Sequence, residues 1–209
     1  FFMGMVSDFA YNLCGSKYMT QTNERQLQYI RAAEELTAPD DPVLDGVGMV
    51  LTRPAPGPHW LLHSSVRRAY ERGRRDHFGE YMRTVAPPVL ITNYRWDWLE
   101  PADRAVRKAQ YLELDKNFFV LGGQVAVEDG VLPIARSGRY ALWAKGESQD
   151  VLVDGVRQAP NSQAFFEAGL HLVSGQAKFL RFAWLGPTAT AMPSFGKRAK
   201  GPLFPTFKQ

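Results

Sequence analysis

Cysteine is nearly absent from this sequence, and the common catalytic signatures are missing. Cys14 is the only cysteine among 209 residues, which excludes an intrachain disulfide and a thiolate metal site. The sequence contains no Walker A loop, dinucleotide fingerprint, HExxH or GxSxG, so no common cofactor or hydrolase chemistry is indicated. Its leading apolar run, residues 1–6, is far shorter than the roughly 20 residues of a membrane-spanning helix. We therefore expect no cofactor.

A strong excess of one charge is also lacking. Lys and Arg total 25 against 21 Asp and Glu, which gives a formal net charge of +4 at pH 7. Nucleic-acid binding requires a concentrated basic patch, whereas the short clusters at 67–68, 72–75 and 197–200 are typical of a solvated helix face and a loose tail. We therefore expect no nucleic-acid partner. The 45% hydrophobic and 12% aromatic content is enough to bury one large core or two small ones.

Helical and extended patterns alternate over the first half of the chain. A capping box at Asn23 opens an amphipathic helix that ends before Pro39. Its predicted apolar face comprises Leu27, Ile30, Ala33 and Leu36. The next elements are predicted as strand, helix, helix, strand and helix, at residues 43–51, 61–72, 76–85, 89–92 and from 100 onward. This alternation is typical of a small α/β layer with a short parallel sheet.

The second half has a different character. From residue 117 the segments are short, β-branched and aromatic, as in an all-β sandwich or meander, and hairpin turns are predicted at 128–130 and 154–155. The pattern GxYxLW at residues 138–143 resembles strands of jelly-roll carbohydrate-binding sandwiches. The predicted fold class is α+β. The predicted domains are a leading segment (1–22), an α/β subdomain (23–116), a sandwich or jelly-roll-like subdomain (117–186) and an extended tail (187–209) that Phe195 and other aromatic residues could pin to the body.

An unusual proline loop follows the first predicted strand. Residues 53–58, Arg-Pro-Ala-Pro-Gly-Pro, can form neither a helix nor a ladder. A buried strand that feeds such a loop holds its polar tip rigidly, as a binding site requires. The predicted ligand-binding residues here are Asp45, Arg53, His59, Trp60 and His63. Trp96, Trp98 and Trp143 are candidates for stacking on a sugar face.

The two histidines of this loop are spaced as in helical zinc sites. His59 and His63 are four residues apart, but no carboxylate occupies the metalloprotease position between them. Packing and capping roles are therefore favoured, and we expect no metal. A soluble enzyme of unrecognised type that acts through His59 or His63 is one alternative function.

The run from Asn23 to His63 contains a Gln-rich helix, then PDDPVLDG, RP and HWLLH. It resembles the soluble C-terminal region of integral-membrane, polyprenyl-phosphate-sugar-dependent glycosyltransferases of the dolichyl-phosphate-mannose and aminoarabinose transferase type. The resemblance implies a polyprenyl-phosphate-linked sugar donor and a lipid or protein acceptor at the extracytoplasmic (periplasmic) face of the membrane. It also implies a catalytic carboxylate in a loop of the membrane portion. No part of this chain corresponds to that loop, so no catalytic residue is carried over.

On this resemblance the chain is expected to be an accessory domain, inactive alone, that shapes or binds the acceptor or the sugar. Its expected partners are the membrane portion of its own chain and a glycan or polyprenyl-phosphate-linked sugar. Because the sequence begins at Phe1 rather than Met, we expect a processed or excised piece of a longer protein. The second alternative function is a freestanding carbohydrate-binding β-module.

Overall fold

Helices dominate the first half of the chain and strands the second, so the α+β prediction is confirmed. The computed structural model describes residues 24–46, 48–55, 64–73, 78–146 and 150–196. The helices there are α1 Glu24–Leu36, α2 Ser64–Glu71, α3 Phe78–Thr84 and α4 Pro101–Gln110, with 3-10 helices at Tyr94–Trp98 and Val127–Asp129. The strands are β1 Val43–Leu44, β2 Val89–Ile91, β3 Tyr111–Asp115, β4 Phe118–Ala126, β5 Val131–Ile134, β6 Gly138–Lys145, β7 Val151–Val153, β8 Val156–Gln158, β9 Ser162–Phe166, β10 Gly169–Gly175 and β11 Phe179–Trp184.

Helix α1 buries a face rotated from the predicted one. Its buried apolar residues are Tyr29, Ala32, Ala33 and Leu36. The predicted face included Leu27, which is instead 49% exposed. The ring of Tyr29 packs on Phe118 with the ring centroids 5.4 Å apart, and burying this large ring decides which side of the helix faces the core. The predicted cap, Asn23, lies outside the described residues.

The first strand is much shorter than the predicted 43–51 and ends at Leu44. The chain turns there because the Asp45 carboxylate accepts hydrogen bonds from the backbone amides of Gly48, Met49 and Val50. Such side-chain to backbone bonds compete with a strand ladder. β1 pairs in parallel with β2, so the predicted parallel sheet is present as one short pair of strands.

The other predicted elements of the first half are present near their predicted positions, whereas β3 Tyr111–Asp115 and the 3-10 helix Tyr94–Trp98 are elements that the sequence analysis did not predict. Helix α4 has proline at its first helical positions, where the missing N–H is not needed. The 3-10 helix Tyr94–Trp98 begins after Asn93, whose side-chain oxygen accepts a hydrogen bond from the Arg95 amide at 2.8 Å. This cap fixes the course of the chain as it leaves β2.

The second half forms an eight-stranded jelly roll. One sheet contains the order β4-β11-β6-β9 and the other is β5-β10-β7-β8. Among these eight strands, only β7 and β8 are consecutive strands paired in one sheet, and every other connection from β4 to β11 crosses between the sheets. This order of two interleaved Greek keys is that of a jelly roll, so the prediction from the strand pattern is confirmed.

One of the two predicted hairpin turns is present. Asp154 and Gly155 join β7 to β8, both with positive φ (50° and 78°), as a type I′ turn requires. The turn predicted at 128–130 is wrong as a hairpin. The 3-10 helix Val127–Asp129 leads from β4 in one sheet to β5 in the other, because β5 pairs with β10 rather than with β4.

The predicted domain boundary at residues 116 and 117 falls inside a continuous sheet. β3 and β4, on its two sides, are antiparallel neighbours. β4 also pairs with β2 and with β11, and one hydrophobic cluster includes Leu36 of α1 as well as Trp184 of β11. The α/β layer and the jelly roll therefore share one sheet and one core.

The first part of the predicted tail is extended and packs on the body. Gln163 of β9 donates a hydrogen bond to the carbonyl of Thr190 at 2.6 Å. Phe195 lies against Phe118, with the ring centroids 5.0 Å apart, as the prediction of an aromatic anchor requires. Residues 197–209, with the other predicted anchors, lie outside the described residues.

Candidate functional site

Asp45 and Arg53, both predicted to line a binding loop, are engaged with backbone groups. Asp45 is 2% exposed and holds the turn described above. The Arg53 guanidinium donates to Thr37 Oγ1 at 2.8 Å and to the carbonyl oxygens of Glu34 and Thr37 at 3.0 and 3.1 Å. A cation at the carboxyl end of α1 satisfies orphan carbonyls and the helix dipole. The two side chains therefore hold a turn and a helix end.

Only part of the remaining predicted set lies in the described residues. His59, Trp60 and His63 lie outside them, as does the side chain of Trp98. Trp143 is half-buried on β6 and in register with Arg181 of β11. Side chains alternate along a strand, so Trp143 lies on the sheet face opposite to Leu142 and the jelly-roll core.

Two buried donors lie where the chain leaves β2. Trp96 is 3% exposed and packs on Phe78 with the ring centroids 6.4 Å apart, so its ring is covered rather than open to a sugar. Within the described part of the chain, neither Trp96 Nε1 nor Asn93 Nδ2 has a hydrogen-bond acceptor. Ligands of parallel sheets bind at the carboxyl ends of strands. The two unpaired donors lie beyond the carboxyl end of β2, so they favour a ligand site at that point.

A cavity of about 210 Å³ lies at the rim of the jelly roll, where α4 and β4 meet the beginning of β10. Tyr140 and Phe182 contribute aromatic rings and Gln110 a carboxamide. The lining residues of this rim cavity are Ala109, Gln110, Leu121, Gly122, Pro133, Ile134, Ala135, Tyr140, Gly169, Leu170 and Phe182. Pockets for drug-sized ligands measure about 300 to 1,000 Å³, so the rim cavity suits one small ring.

Two consecutive residues have buried oxygens without partners: Gln110, which lines the rim cavity, and Tyr111, which lines the groove next to it. Helix α4 passes directly into β3, and in the described residues nothing hydrogen-bonds to Gln110 Oε1 or to the Tyr111 hydroxyl. Tyr111 is 5% exposed, and burial raises the pKa of its hydroxyl well above the usual range, so the hydroxyl keeps its proton and can donate. An unpaired buried polar group costs about 1–3 kcal/mol and is rare in native proteins. These two oxygens are therefore candidates for bonds to a ligand.

A larger groove of about 460 Å³ begins at Tyr111. We call it the basic groove; its lining residues are Pro101, Arg104, Ala105, Arg107, Lys108, Tyr111, Glu113 and Phe119. The Arg107 guanidinium lies 4.8 Å from the centroid of the Phe119 ring, and burial lowers the pKa of Arg107. The rim cavity and the basic groove are joined through the Gln110–Tyr111 dipeptide.

In the described part of the chain, no group of three or more His, Cys, Asp or Glu side chains is placed to hold a metal ion. None of the helices there has the length and apolar character needed to cross a membrane. Scans against protein-family models, curated proteins and solved structures find no match to this chain. The function is therefore inferred from residues and geometry.

Sequence reasoning missed Gln110 and Tyr111. The available signal was the switch from helical to strand periodicity within KAQYLEL at residues 108–114, which places a polar and an aromatic residue at a junction without a loop. That switch predicts where the elements meet. It does not reveal that both oxygens are buried and unpaired, because their burial depends on β10 and β6, which come later in the chain.

His171 links the β7–β8 turn to the connection before β10. Its Nδ1 lies 2.6 Å from Asp154 Oδ2 and its Nε2 lies 2.9 Å from the Glu167 carbonyl oxygen. Burial alone would lower the pKa of His171, but the bonds to Asp154 and Glu167 outweigh it and raise that pKa. The same bond to His171 lowers the pKa of Asp154. Both ring nitrogens face acceptors, so the protonated imidazolium is favoured.

This pair makes stability depend on pH. The His171 contribution is complete below its unfolded pKa of about 6.5 and is lost as pH rises through the raised folded pKa. The Asp154 contribution is present above about pH 3.9 and is lost as pH falls through its lowered folded pKa. We expect the Tm advantage of the wild type over His171→Gln to be largest between about pH 4 and 6.5 and to shrink toward pH 9. Parallel Tm curves for the two proteins would contradict this expectation.

Proposed function

We propose that this chain is a non-catalytic, glycan-binding accessory domain of a polyprenyl-phosphate-sugar-dependent membrane glycosyltransferase. The observation that carries the proposal is the rim cavity, whose lining includes the unpaired oxygen of Gln110, beside the unpaired hydroxyl of Tyr111 in the neighbouring groove. Its place in a parent transferase is supported by the sequence resemblance of residues 23–63. A fold alone does not fix a function, so the chemistry of the cavity has to support the choice of ligand.

A sugar can supply the hydrogen-bond partners that the buried oxygens of Gln110 and Tyr111 lack. Each sugar hydroxyl can both donate and accept, so one hydroxyl can donate to Gln110 Oε1 while another accepts from the Tyr111 hydroxyl. Tyr140 and Phe182 are 1% and 4% exposed, so in this proposal the apolar face of a sugar ring packs on Leu170, which lines the cavity and is 78% exposed. The site contains binding groups of this kind and is assigned no nucleophile or general base. In this proposal it therefore recognises a glycan and does not transform it.

Chemical-shift mapping by NMR tests the location of the site. The isotopically labelled full chain is titrated with a panel of neutral and acidic oligosaccharides. We expect shifts at Gln110, Tyr111 and Gly169, with little change at Trp143, which lies on the opposite face of the sheet. Shifts confined to the indole N–H of Trp96 and to Asn93 would move the site to the exit of β2 and overturn the rim assignment. An absence of shifts with every saccharide would overturn glycan binding.

A second test concerns the accessory role. The purified chain is incubated with a polyprenyl-phosphate-linked sugar and candidate acceptors, and product is followed by mass spectrometry. We expect no transfer, because the resemblance places the catalytic carboxylate in a membrane portion to which this chain has no counterpart. Turnover by the isolated chain that His63→Ala abolishes would overturn the accessory role and favour the alternative of an enzyme.

Tyr111→Phe is expected to separate binding from stability. The change removes only the unpaired hydroxyl, so Tm should stay the same or rise, because a buried unsatisfied group is removed. Glycan affinity should fall roughly fivefold, since one hydrogen bond contributes about 1 kcal/mol. Calorimetric titration and thermal unfolding measure the two effects.

Tyr140→Phe is the matched control for stability. The Tyr140 hydroxyl donates to the Arg136 carbonyl oxygen at 2.7 Å, so the same atom removed there breaks an existing bond. We expect its loss to cost about 1 kcal/mol of unfolding free energy. If Tyr111→Phe destabilises the protein as much as Tyr140→Phe does, the Tyr111 hydroxyl has a structural partner and is not reserved for a ligand.

A further inference from the structure

The basic groove holds more positive than negative charge. Arg104, Arg107 and Lys108 line it against one carboxylate, Glu113. Arg104 donates to the Asp97 carbonyl oxygen at 2.8 Å. Within the described ranges, the side chains of Arg107 and Lys108 have neither a hydrogen-bond acceptor nor an ion-pair partner. Burial lowers the pKa of Arg107, and the nearby Glu113 and Asp97 carboxylates act to raise it. Because neither carboxylate bonds to the guanidinium in the described ranges, the donors of both cations are available to an anion.

Arg107 is the more informative of the two because it is half-buried. Its guanidinium lies over the Phe119 ring, and burial removes part of the water that would otherwise solvate it. The guanidinium presents five N–H donors in a fixed fork, and a carboxylate or phosphate can accept two of them at once. A Lys ammonium beside it adds a mobile point charge.

The groove and the rim cavity meet at consecutive residues. Gln110 lines the cavity and Tyr111 lines the groove. Tyr111 is also in register with Leu121 of the cavity on the neighbouring strand, so the two openings are neighbours on one face of the sheet. We propose that the glycan bound at this rim is an anionic saccharide, with a neutral ring in the rim cavity and a carboxylate or phosphate group at Arg107 and Lys108. This inference rests on the proposed function and adds the chemical class of the ligand.

Titration with matched saccharides tests the charge preference. A neutral oligosaccharide, an oligouronate of the same length and a sugar phosphate are each titrated into the full chain by calorimetry at low salt. We expect at least one of the anionic ligands to bind about tenfold more tightly than the neutral one. Raising the salt should reduce this preference, because the Debye length falls from about 10 Å at 0.1 M to about 3 Å at 1 M. The two anionic ligands distinguish a carboxylate from a phosphate as the recognised group.

Charge-neutralising variants test the residues. Lys108→Gln and Arg107→Gln should each weaken binding of the anionic saccharide severalfold and leave binding of the neutral one nearly unchanged. Arg107→Lys keeps the charge but loses the fork, so an intermediate effect is expected. Arg181→Gln is the control, because Arg181 is an exposed cation on β11, paired with Trp143 on the far face of the sheet.

Failure of this inference and failure of the proposed function would give different results. Equal affinity for neutral and anionic ligands, with no effect of Arg107→Gln or Lys108→Gln, would overturn the inference and leave the glycan-binding proposal standing. If Arg181→Gln weakens binding of the anionic saccharide as much as Arg107→Gln or Lys108→Gln does, only the net charge attracts the ligand. That result would also overturn the assigned site. No binding of any saccharide would overturn the proposed function itself.

Discussion

Gly122→Ala should destabilise the protein by roughly 4 kcal/mol, although it adds only one methyl group. Gly122 has φ of +149° at the point where β4 passes from its β2 and β3 neighbours to β11. A Cβ there would lie 2.8 Å from the Ala183 Cα and closer still to the Phe182 carbonyl oxygen. Backbone strain of about 1–3 kcal/mol adds to overpacking of about 1–3 kcal/mol. Urea unfolding measures the loss.

Gly169→Ala is the matched control for this prediction. Gly169 has nearly the same φ, +148°, but nothing lies within 4 Å of the position that its Cβ would take. It therefore reports the backbone strain without the steric clash, and the expected loss is about 1–3 kcal/mol. If the two variants lose equal stability, the contact between β4 and β11 does not require a glycine.

Asp103→Ala should cost about 4 kcal/mol, because it removes the carboxylate that accepts hydrogen bonds from two buried donors. Asp103 is 2% exposed and accepts hydrogen bonds from the Gly79 amide at 2.9 Å and from the Tyr70 hydroxyl. These bonds tie α2, α3 and α4 together. Each stranded donor costs about 1–3 kcal/mol. Urea unfolding of the wild type and the variant gives the difference.

Asp103→Asn tests whether the acceptor or the volume of the side chain matters. Its side-chain oxygen can still accept from Gly79, and its amide can donate to the Tyr70 oxygen, so a loss of only about 1 kcal/mol is expected. Similar losses for Asn and Ala would show that the carboxylate charge, rather than the hydrogen bonds, stabilises the three helices.

Local rules in the sequence predicted most elements and failed where distant residues decide. The strands of the second half follow from period-two alternation, and the Asp154–Gly155 turn follows from residues that tolerate positive φ. Both are properties of neighbouring residues. The turn at 128–130 obeys the same local rules, yet it joins two sheets, because the partner of β5 is a strand 35 residues later in the chain. Which strand pairs with β5 is therefore decided by the packing of the whole sandwich and not by the turn that precedes β5.

For the candidate site, too, local sequence patterns were informative but missed what distant residues decide. The sequence directed attention to Asp45 and Arg53 as polar residues beside a rigid loop, and the structure shows them bonded to backbone atoms. Their partners lie within 19 residues along the chain, but a residue pattern does not say which polar groups remain unpaired. The reverse holds for Gln110 and Tyr111, whose lack of partners follows from the way in which α4, β4 and β10 meet.

The contact between α1 and the end of β11 can form only after both elements have been synthesised. The Trp184 indole donates to the Leu36 carbonyl oxygen at 2.7 Å, across 148 residues, and Arg25 reaches the Gly196 carbonyl oxygen across 171 residues. Helix α1 is synthesised before β11, and it acquires these contacts only after β11 has emerged from the ribosome. Contacts of such long range slow folding, and until they form the apolar face of α1 is open to other chains. The apolar face of α1 is therefore incompletely covered from the synthesis of Leu36 until that of Trp184.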